Sequence, residues 1–218
     1  MSNIKLVHSG GNSVSLTTPT NNPSSNVTFK LPQADGSAGQ VLQTDGNGNL
    51  TFVNPPSGIT EADTWRLNDS YGNTDSSTRI EDPIQNDLVR INQPIQGYLG
   101  TGMTVSSGIW TFPSTGYWLI LAQVCMNGIA NRESRYNGVT IMGTVNNSSY
   151  VDLSRGYTMF EDYSTSRFMT FTISTVCDIT NVSTHKVKFK STTLNNTRVI
   201  GDTDKEFTSF KFIRLGDT

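Results

Sequence analysis

Charged residues are scarce in this sequence. Asp, Glu, Lys and Arg make up 16% of the 218 residues and leave a formal net charge of −2, whereas soluble domains ordinarily contain about 25% charged residues. A chain this close to neutral has no net positive field to attract DNA, RNA or another polyanion. We therefore expect no nucleic-acid partner.

Long apolar runs and helical periodicity are absent as well. No segment is long and apolar enough to span a membrane, and the N-terminus has no apolar core of the length found in a signal peptide. Ser, Thr, Asn and Gly dominate instead, and the polar side chains among them compete for the backbone hydrogen bonds that a helix needs. The sequence predicts an all-β protein without a membrane partner.

Residues that ordinarily carry catalysis or bind metals are few and scattered. The two cysteines, Cys125 and Cys177, lie in apolar strand-like runs and are predicted to be reduced and buried. Neither His8 nor His185 has a Cys or His neighbour at metal-ligand spacing. No nucleophile-elbow pattern surrounds a serine, and the neighbouring acids at 161–162 would point to opposite faces of a strand. We expect no enzyme activity, no catalytic residue and no cofactor.

One acidic stretch near the C-terminus offers a calcium alternative. Asp202, Asp204 and Glu206 alternate, so an extended backbone would aim their oxygens to one side. Hard oxygen ligands of this kind suit Ca²⁺. The preferred interpretation is an ordinary solvated turn, because an Asp-rich turn needs no metal.

The most apolar stretch is GIWTFPSTGYWLILAQVCM, residues 108–126. It reads as two strands around a turn, since Pro113 cannot donate to a β-ladder and Ser, Thr and Gly follow it. The second strand, residues 117–126, is apolar on both faces. One face can fill the core of a β-sandwich, and the other then requires a second sheet or another subunit.

The same stretch resembles the jelly-roll superfamily shared by the globular head of complement component one q and tumour necrosis factor. In that superfamily G-x-F-x-x-P-x-x-G-x-Y-x-F marks two neighbouring strands near a trimer axis, and an aromatic-rich strand, here residues 207–215, closes the fold. The resemblance implies a C-terminal ten-stranded jelly roll over residues 59–218 and a homotrimer. It places eight residues in the core or at the trimer interface: Trp110, Phe112, Tyr117, Trp118, Ile120, Val124, Phe210 and Phe212.

Residues 1–58 differ from the remainder of the chain. Short strand candidates, among them residues 27–31, alternate with glycine turns, and Asp35-Gly36 and Asp45-Gly46 are the clearest turn signals. Asn54-Pro55-Pro56-Ser57-Gly58 is typical of a linker. The core available to this small glycine-rich β segment is too small for independent stability. We expect it to pack on copies of itself or on a larger assembly.

Within that segment, LPQADGSAGQVLQTDGNGNLTFV, residues 31–53, resembles a short module of structural proteins of marine bacteriophages, especially those that infect cyanobacteria. The family occurs in tail fibres and other virion appendages, commonly as a trimer. The resemblance implies a virion protein, assembled in the host cytoplasm, whose residues 1–58 attach it to other virion proteins. A head fibre or decoration protein is the preferred interpretation.

Two alternatives remain. A short tail fibre or adhesin would bind a host-surface glycan through jelly-roll loops at 68–77, 132–137 and 152–163, with Tyr136, Arg155 and Tyr157 as the candidate ligand residues. The simpler interpretation is that these stretches are ordinary solvated loops without a ligand. A secreted ligand-like module of the same superfamily is disfavoured, because no signal peptide is recognisable.

Overall fold

A computed structural model describes residues 4–55, 58–72, 80–128, 130–131, 133–162, 164–194 and 197–218. All regular secondary structure in these ranges is β-strand, which confirms the all-β prediction. Within the same ranges, no helix exists that would be long and apolar enough to cross a membrane. The chain divides into two compact units, Met1–Ser57 and Gly58–Thr218.

The described residues of the Met1–Ser57 unit form two antiparallel hairpins. The first joins β1 (Ile4–Val7) to β2 (Ser13–Leu16), and the second joins β3 (Val41–Thr44) to β4 (Leu50–Val53). Asp45 closes the second turn by accepting the backbone N–H of Asn47 at 2.8 Å and that of Asn49 at 3.1 Å, as the Asp-Gly signal there predicts. The strand predicted at 27–31 is wrong: Lys30 forms only an isolated bridge to Asn49.

The first hairpin of this unit exposes its apolar side chains. Ile4 pairs with Leu16 and Leu6 pairs with Val14, so the four side chains share one face. They are 64%, 70%, 67% and 72% exposed, respectively. No described residue of the Met1–Ser57 unit is buried. A two-stranded hairpin of this kind is marginal in water without a further surface to cover it.

The Gly58–Thr218 unit contains thirteen of the described strands. The first five are β5 (Ala62–Leu67), β6 (Tyr71–Gly72), β7 (Ile80–Pro83), β8 (Leu88–Arg90) and β9 (Thr104–Ser106). The others are β10 (Ile109–Thr111), β11 (Gly116–Gly128), β12 (Ser134–Thr144), β13 (Val151–Phe160), β14 (Arg167–Ile179), β15 (Lys186–Thr193), β16 (Thr197–Val199) and β17 (Ser209–Gly216).

These strands form two antiparallel sheets. The first sheet has the order β8–β5–β17–β11–β14, with short β16 and β6 continuing beside β11, and the second has the order β9–β10–β15–β12–β13, with β7 beside β15. When β6, β7 and β16 are left aside, the chain changes sheet between β8 and β9, β10 and β11, β11 and β12, β13 and β14, β14 and β15, and β15 and β17. Ten strands connected in this way are a jelly roll, which confirms the predicted fold class, and β6, β7 and β16 are short additions.

An aromatic cluster fills the space between the sheets. Trp110 from the second sheet lies 4.8 Å from Phe212 and 5.1 Å from Trp65, centroid to centroid, and Phe189 lies 4.2 Å from Phe210. Burying one such side chain contributes roughly 1.5–3 kcal/mol. Five inward residues of β11 add to the cluster: Trp118, Ile120, Ala122, Val124 and Met126.

A buried ion pair fastens β8 and the loop before β9 to β5. The Asp63 carboxylate is 2% exposed and accepts hydrogen bonds from Trp65 Nε1 at 2.9 Å, the Met103 N–H at 2.7 Å and Arg90 Nε at 3.1 Å. The Arg90 guanidinium lies 4.9 Å from the Trp65 ring and 4.5 Å from the Tyr98 ring. Three donors around one carboxylate offset the desolvation of its charge.

Candidate functional site

Strand β11 has two different faces, as its sequence predicts. Its even-numbered residues from 118 to 126 are buried in the core, whereas Tyr117, Leu119 and Leu121 lie on the outer face of the first sheet. Seven of the eight predicted core or interface residues are at most 1% exposed. They are core residues and are not available for contact with another protomer: Trp110, Phe112, Trp118, Ile120, Val124, Phe210 and Phe212. The eighth, Tyr117, is 43% exposed.

An apolar row crosses the outer face of the first sheet. Leu119 pairs with Val176 of β14 on one side and with Ile213 of β17 on the other, and Ile213 in turn pairs with Ala62 of β5. Val176 is 55% exposed. We call these four residues, together with Tyr117, the apolar face. Leu119, Ile213 and Ala62 are partly exposed. Contiguous apolar side chains on the outside of a sheet are typical of a contact surface.

The second sheet carries a different surface on its outer side. Tyr136 of β12 and Tyr157 of β13 meet edge to face, with centroids 6.2 Å apart and an interplanar angle of 84°. They are 60% and 43% exposed. Arg155 donates through Nη1 to the Tyr157 hydroxyl at 3.1 Å and through Nε to Thr140 Oγ1 at 3.0 Å, and it forms an ion pair with Asp152. We call these five residues the tyrosine face.

A backbone irregularity aims Tyr136 outward. Ser134 pairs with Phe160 and Asn137 with Thr158, so β12 holds one more residue than β13 across this interval, which is a β-bulge. Tyr136 in the bulge has φ +60°. A bulky residue in this left-handed region costs on the order of 1–3 kcal/mol, and such strain is concentrated at functional sites.

Buried polar groups hold this bulge in place. Ser134 and Asn137 are at most 1% exposed. Asn137 Oδ1 accepts the Leu194 N–H at 3.0 Å, its Nδ2 donates to the Ser134 carbonyl at 3.2 Å, and Thr197 Oγ1 donates to Ser134 Oγ at 3.0 Å. A hydrogen-bonded network of this kind fixes local geometry, because every buried polar atom would be costly to leave unpaired. The network therefore holds the residues on both sides of Tyr136.

The three candidate ligand residues lie together, but their predicted location is wrong. Tyr136, Arg155 and Tyr157 belong to β12 and β13, not to loops. Both strands are longer than the sequence pattern indicates, because Gly138 and Gly156 interrupt the alternation while still pairing in the ladder. Asp152, which pairs with Arg155, was not among the predicted ligand residues. Residues 73–77 of the first predicted loop, together with Arg132 and Tyr163, lie outside the described residues.

The acidic stretch 202–206 is occupied by local contacts. Asp202 accepts the N–H groups of Asp204 and Lys205 at 2.7 and 2.8 Å, and these bonds lower the pKa of its carboxyl. Burial alone would raise the pKa of Glu206, but its hydrogen bond and ion pair with Lys211 outweigh that effect and lower it. The described part of the chain contains no group of three acidic, His or Cys side chains placed to hold a metal ion. These contacts favour the solvated turn, and the calcium alternative stays a prediction.

The two cysteines are free thiols, as predicted. Cys125 is buried, and Cys177 is partly buried on the inner side of β14. Burial raises the pKa of the Cys177 thiol to about 11. Since the thiolate is the reactive form, this cysteine is not an activated nucleophile.

Comparisons with known proteins do not assign this chain to a family. No protein-family model matches the sequence, and no curated protein matches it either. Among solved structures, the chain is similar to murine APRIL at pH 8.5, with 12% identity, a TM-score of 0.47, and coverage of 71% of this chain and 98% of that one. A second structure of murine APRIL, at pH 8.0, gives 14% identity, a TM-score of 0.43 and the same coverage. The jelly-roll assignment rests on the strand order and pairing described above.

Proposed function

We propose that this protein is a non-enzymatic structural component of a virus particle, a homotrimeric head fibre or decoration protein attached through residues 1–58. The observation that carries the trimer is the apolar face, where Val176, Leu119, Ile213 and Ala62 form one row across four strands. An isolated jelly roll would leave this row in water. Association of copies of the chain would cover it without ordering further backbone, because the strands beneath are already fixed by the core.

The Met1–Ser57 unit supports the attachment role. Its first hairpin exposes four apolar side chains, and none of its described residues is buried. Such a unit gains its stability from whatever covers that hairpin face. The resemblance of residues 31–53 to a module of bacteriophage structural proteins favours a virion as the surrounding assembly and the host cytoplasm as the place of assembly.

Sedimentation of the whole chain tests the trimer. We expect a species of three chains at micromolar concentration and below, whereas a stable 23.9 kDa monomer would contradict the proposal.

Deleting residues 1–57 tests the attachment. The shortened protein should still form the trimer but should no longer be found on purified particles. Full occupancy of the particles by the shortened protein would show that the attachment role is assigned to the wrong unit.

A second candidate function is favoured by one specific observation. The meeting of Tyr136, Arg155 and Tyr157 on one exposed surface fits a short tail fibre or adhesin that binds a glycan on the host surface. Particles whose protein carries alanine at each of these positions, one at a time, should adsorb to host cells less efficiently. If adsorption is unchanged in all three variants, the adhesin function is ruled out and only the structural role remains.

A further inference from the structure

We infer that the tyrosine face is a binding site for an uncharged glycan. The inference rests on the second candidate function and specifies its ligand. Tyr136 and Tyr157 stand almost at right angles and, with Arg135 and Met159, border an open groove of about 400 Å³. The C–H face of a pyranose ring packs well on an exposed aromatic ring, and a corner of two rings fixes the orientation of the sugar.

The polar groups beside this corner suit hydroxyl groups. Arg155 makes one hydrogen bond through each of its three nitrogens, to Thr140, Tyr157 and Asp152. A guanidinium has five N–H donors, so two remain beyond these three bonds. Asp152 contributes acceptor oxygens next to them, and its side chain is 42% exposed. Adjacent donors and acceptors of this kind match a sugar hydroxyl, which both donates and accepts.

Charge balance selects an uncharged ligand. Each arginine at the corner already has a carboxylate partner, Arg155 with Asp152 and Arg135 with Glu133. An anionic sugar would have to compete with these carboxylates, whereas a neutral hydroxyl bonds to the pair without separating it. On β15 of the same sheet, Lys190 pairs with Thr140 of the tyrosine face and Lys188 pairs with Met142, so β12 separates both lysines from β13. The positive charges of these two lysines would favour the alternative ligand, a sulfated or sialylated glycan.

The position of Tyr157 is also built into the fold. Its ring lies against Gly138 of the neighbouring strand, where a Cβ atom would come within 2.6 Å of Tyr157 Cδ1. The missing side chain at 138 leaves the space that the ring occupies. Together with the bulge that turns Tyr136 outward, this gives the corner a shape that does not depend on a ligand.

The test uses the full-length protein on an array that carries neutral, sialylated and sulfated glycans, followed by titration with the best neutral glycan. We expect binding to neutral glycans with an affinity that changes less than about twofold between 50 and 500 mM NaCl, since no net charge is neutralised. Tyr157→Ala should weaken binding about tenfold, and Asp152→Asn should weaken it by a similar factor.

A matched control is Tyr98→Ala, which also removes a half-exposed tyrosine beside an arginine, but on another part of the jelly roll. It should bind as the unchanged protein does. Binding confined to charged glycans and abolished by salt would overturn the inference while leaving an adhesin function standing. Equal binding by Tyr157→Ala, or binding to no glycan at millimolar concentration, would also overturn it. Adsorption of particles to host cells then decides separately whether an adhesin function exists.

Discussion

The two units of this chain differ in where their apolar side chains lie. In the Gly58–Thr218 unit the aromatic residues Trp110, Phe189 and Phe212 are fully buried between two sheets. In the Met1–Ser57 unit Leu6 and Leu16 are 67% and 70% exposed, although they alternate along strands just as regularly. Apolar alternation therefore predicts a face that must be covered, but it does not say whether the cover comes from the same chain.

The Gly58–Thr218 unit can hold a binding site in a fixed geometry, whereas the Met1–Ser57 unit is better suited to attachment. A two-layer core holds Tyr136 and Tyr157 in one geometry even though the backbone at Tyr136 is strained. A lone hairpin has no second layer to hold a side chain in a strained position. Its exposed face is instead available to a partner.

The largest effect should come from Trp110→Ala. Trp110 is 0% exposed and contacts rings from both sheets, so the change leaves a cavity at the centre of the core. We expect the free energy of unfolding to fall by about 3–5 kcal/mol. Leu6→Ala in the other unit should change it by less than about 0.5 kcal/mol. Urea denaturation followed by circular dichroism measures both, and equal losses would mean that Leu6 is buried in the assembled protein.

The next largest effect concerns association. Leu119→Lys places a charge in the middle of the apolar row while leaving the buried face of β11 unchanged. We expect the assembly to dissociate about 100-fold more readily, because an unpaired charge would otherwise be buried between protomers. Sedimentation velocity measures the change. A comparable substitution at an exposed polar position of the same sheet, Thr172→Lys on β14, should dissociate the assembly less; equal effects would place the interface elsewhere.

Much of this fold is predictable from the sequence. The motif around Pro113 and the continuous apolar run of β11 locate a central strand. The alternation in β14 locates its neighbour at the sheet edge, because residues that must be buried repeat with period two. What sequence reasoning misses is the pairing of distant strands. Nothing local indicates that the row of Leu119 and Val176 is continued by Ile213, some forty to ninety residues away along the chain.

The candidate site illustrates the same limit more sharply. Sequence reasoning selects Tyr136, Arg155 and Tyr157 for their chemistry but assigns them to loops, whereas they lie in β12 and β13. Glycines at 138 and 156 stand close to them in the sequence, and glycine commonly marks a turn. In the structure both glycines lie within strands, and Gly156 makes room for Ile173 of the opposite sheet. A sequence alone does not distinguish a glycine that permits the close approach of a neighbouring side chain from a glycine that permits a turn.

A smaller effect should follow from Asp63→Asn. The substitution keeps the shape of the side chain but removes the charge that faces Arg90, whose side chain is 27% exposed. We expect a loss of about 2 kcal/mol in the free energy of unfolding, less than for a fully buried pair because water reaches the arginine. Asp217→Asn is the control, since its pair with Arg214 is at the surface and its side chain is 92% exposed. That control should change stability by less than about 0.5 kcal/mol.

The smallest effect has the opposite sign and tests the strained bulge. Tyr136 adopts φ +60°, which glycine adopts without steric cost, so Tyr136→Gly relieves strain in the folded state. The gain is reduced by the lost contact with Tyr157 and by the greater freedom of glycine in the unfolded chain. We expect a net increase of up to about 1 kcal/mol in the free energy of unfolding.

Tyr157→Gly, on the regular strand opposite, should instead lower the free energy of unfolding, because glycine weakens a strand interior. Urea denaturation of both variants gives the comparison. A more stable Tyr136→Gly protein that no longer binds glycan would show that strain at this residue is retained for binding, whereas a destabilised one would mean that the ring contributes more through packing than the bulge costs.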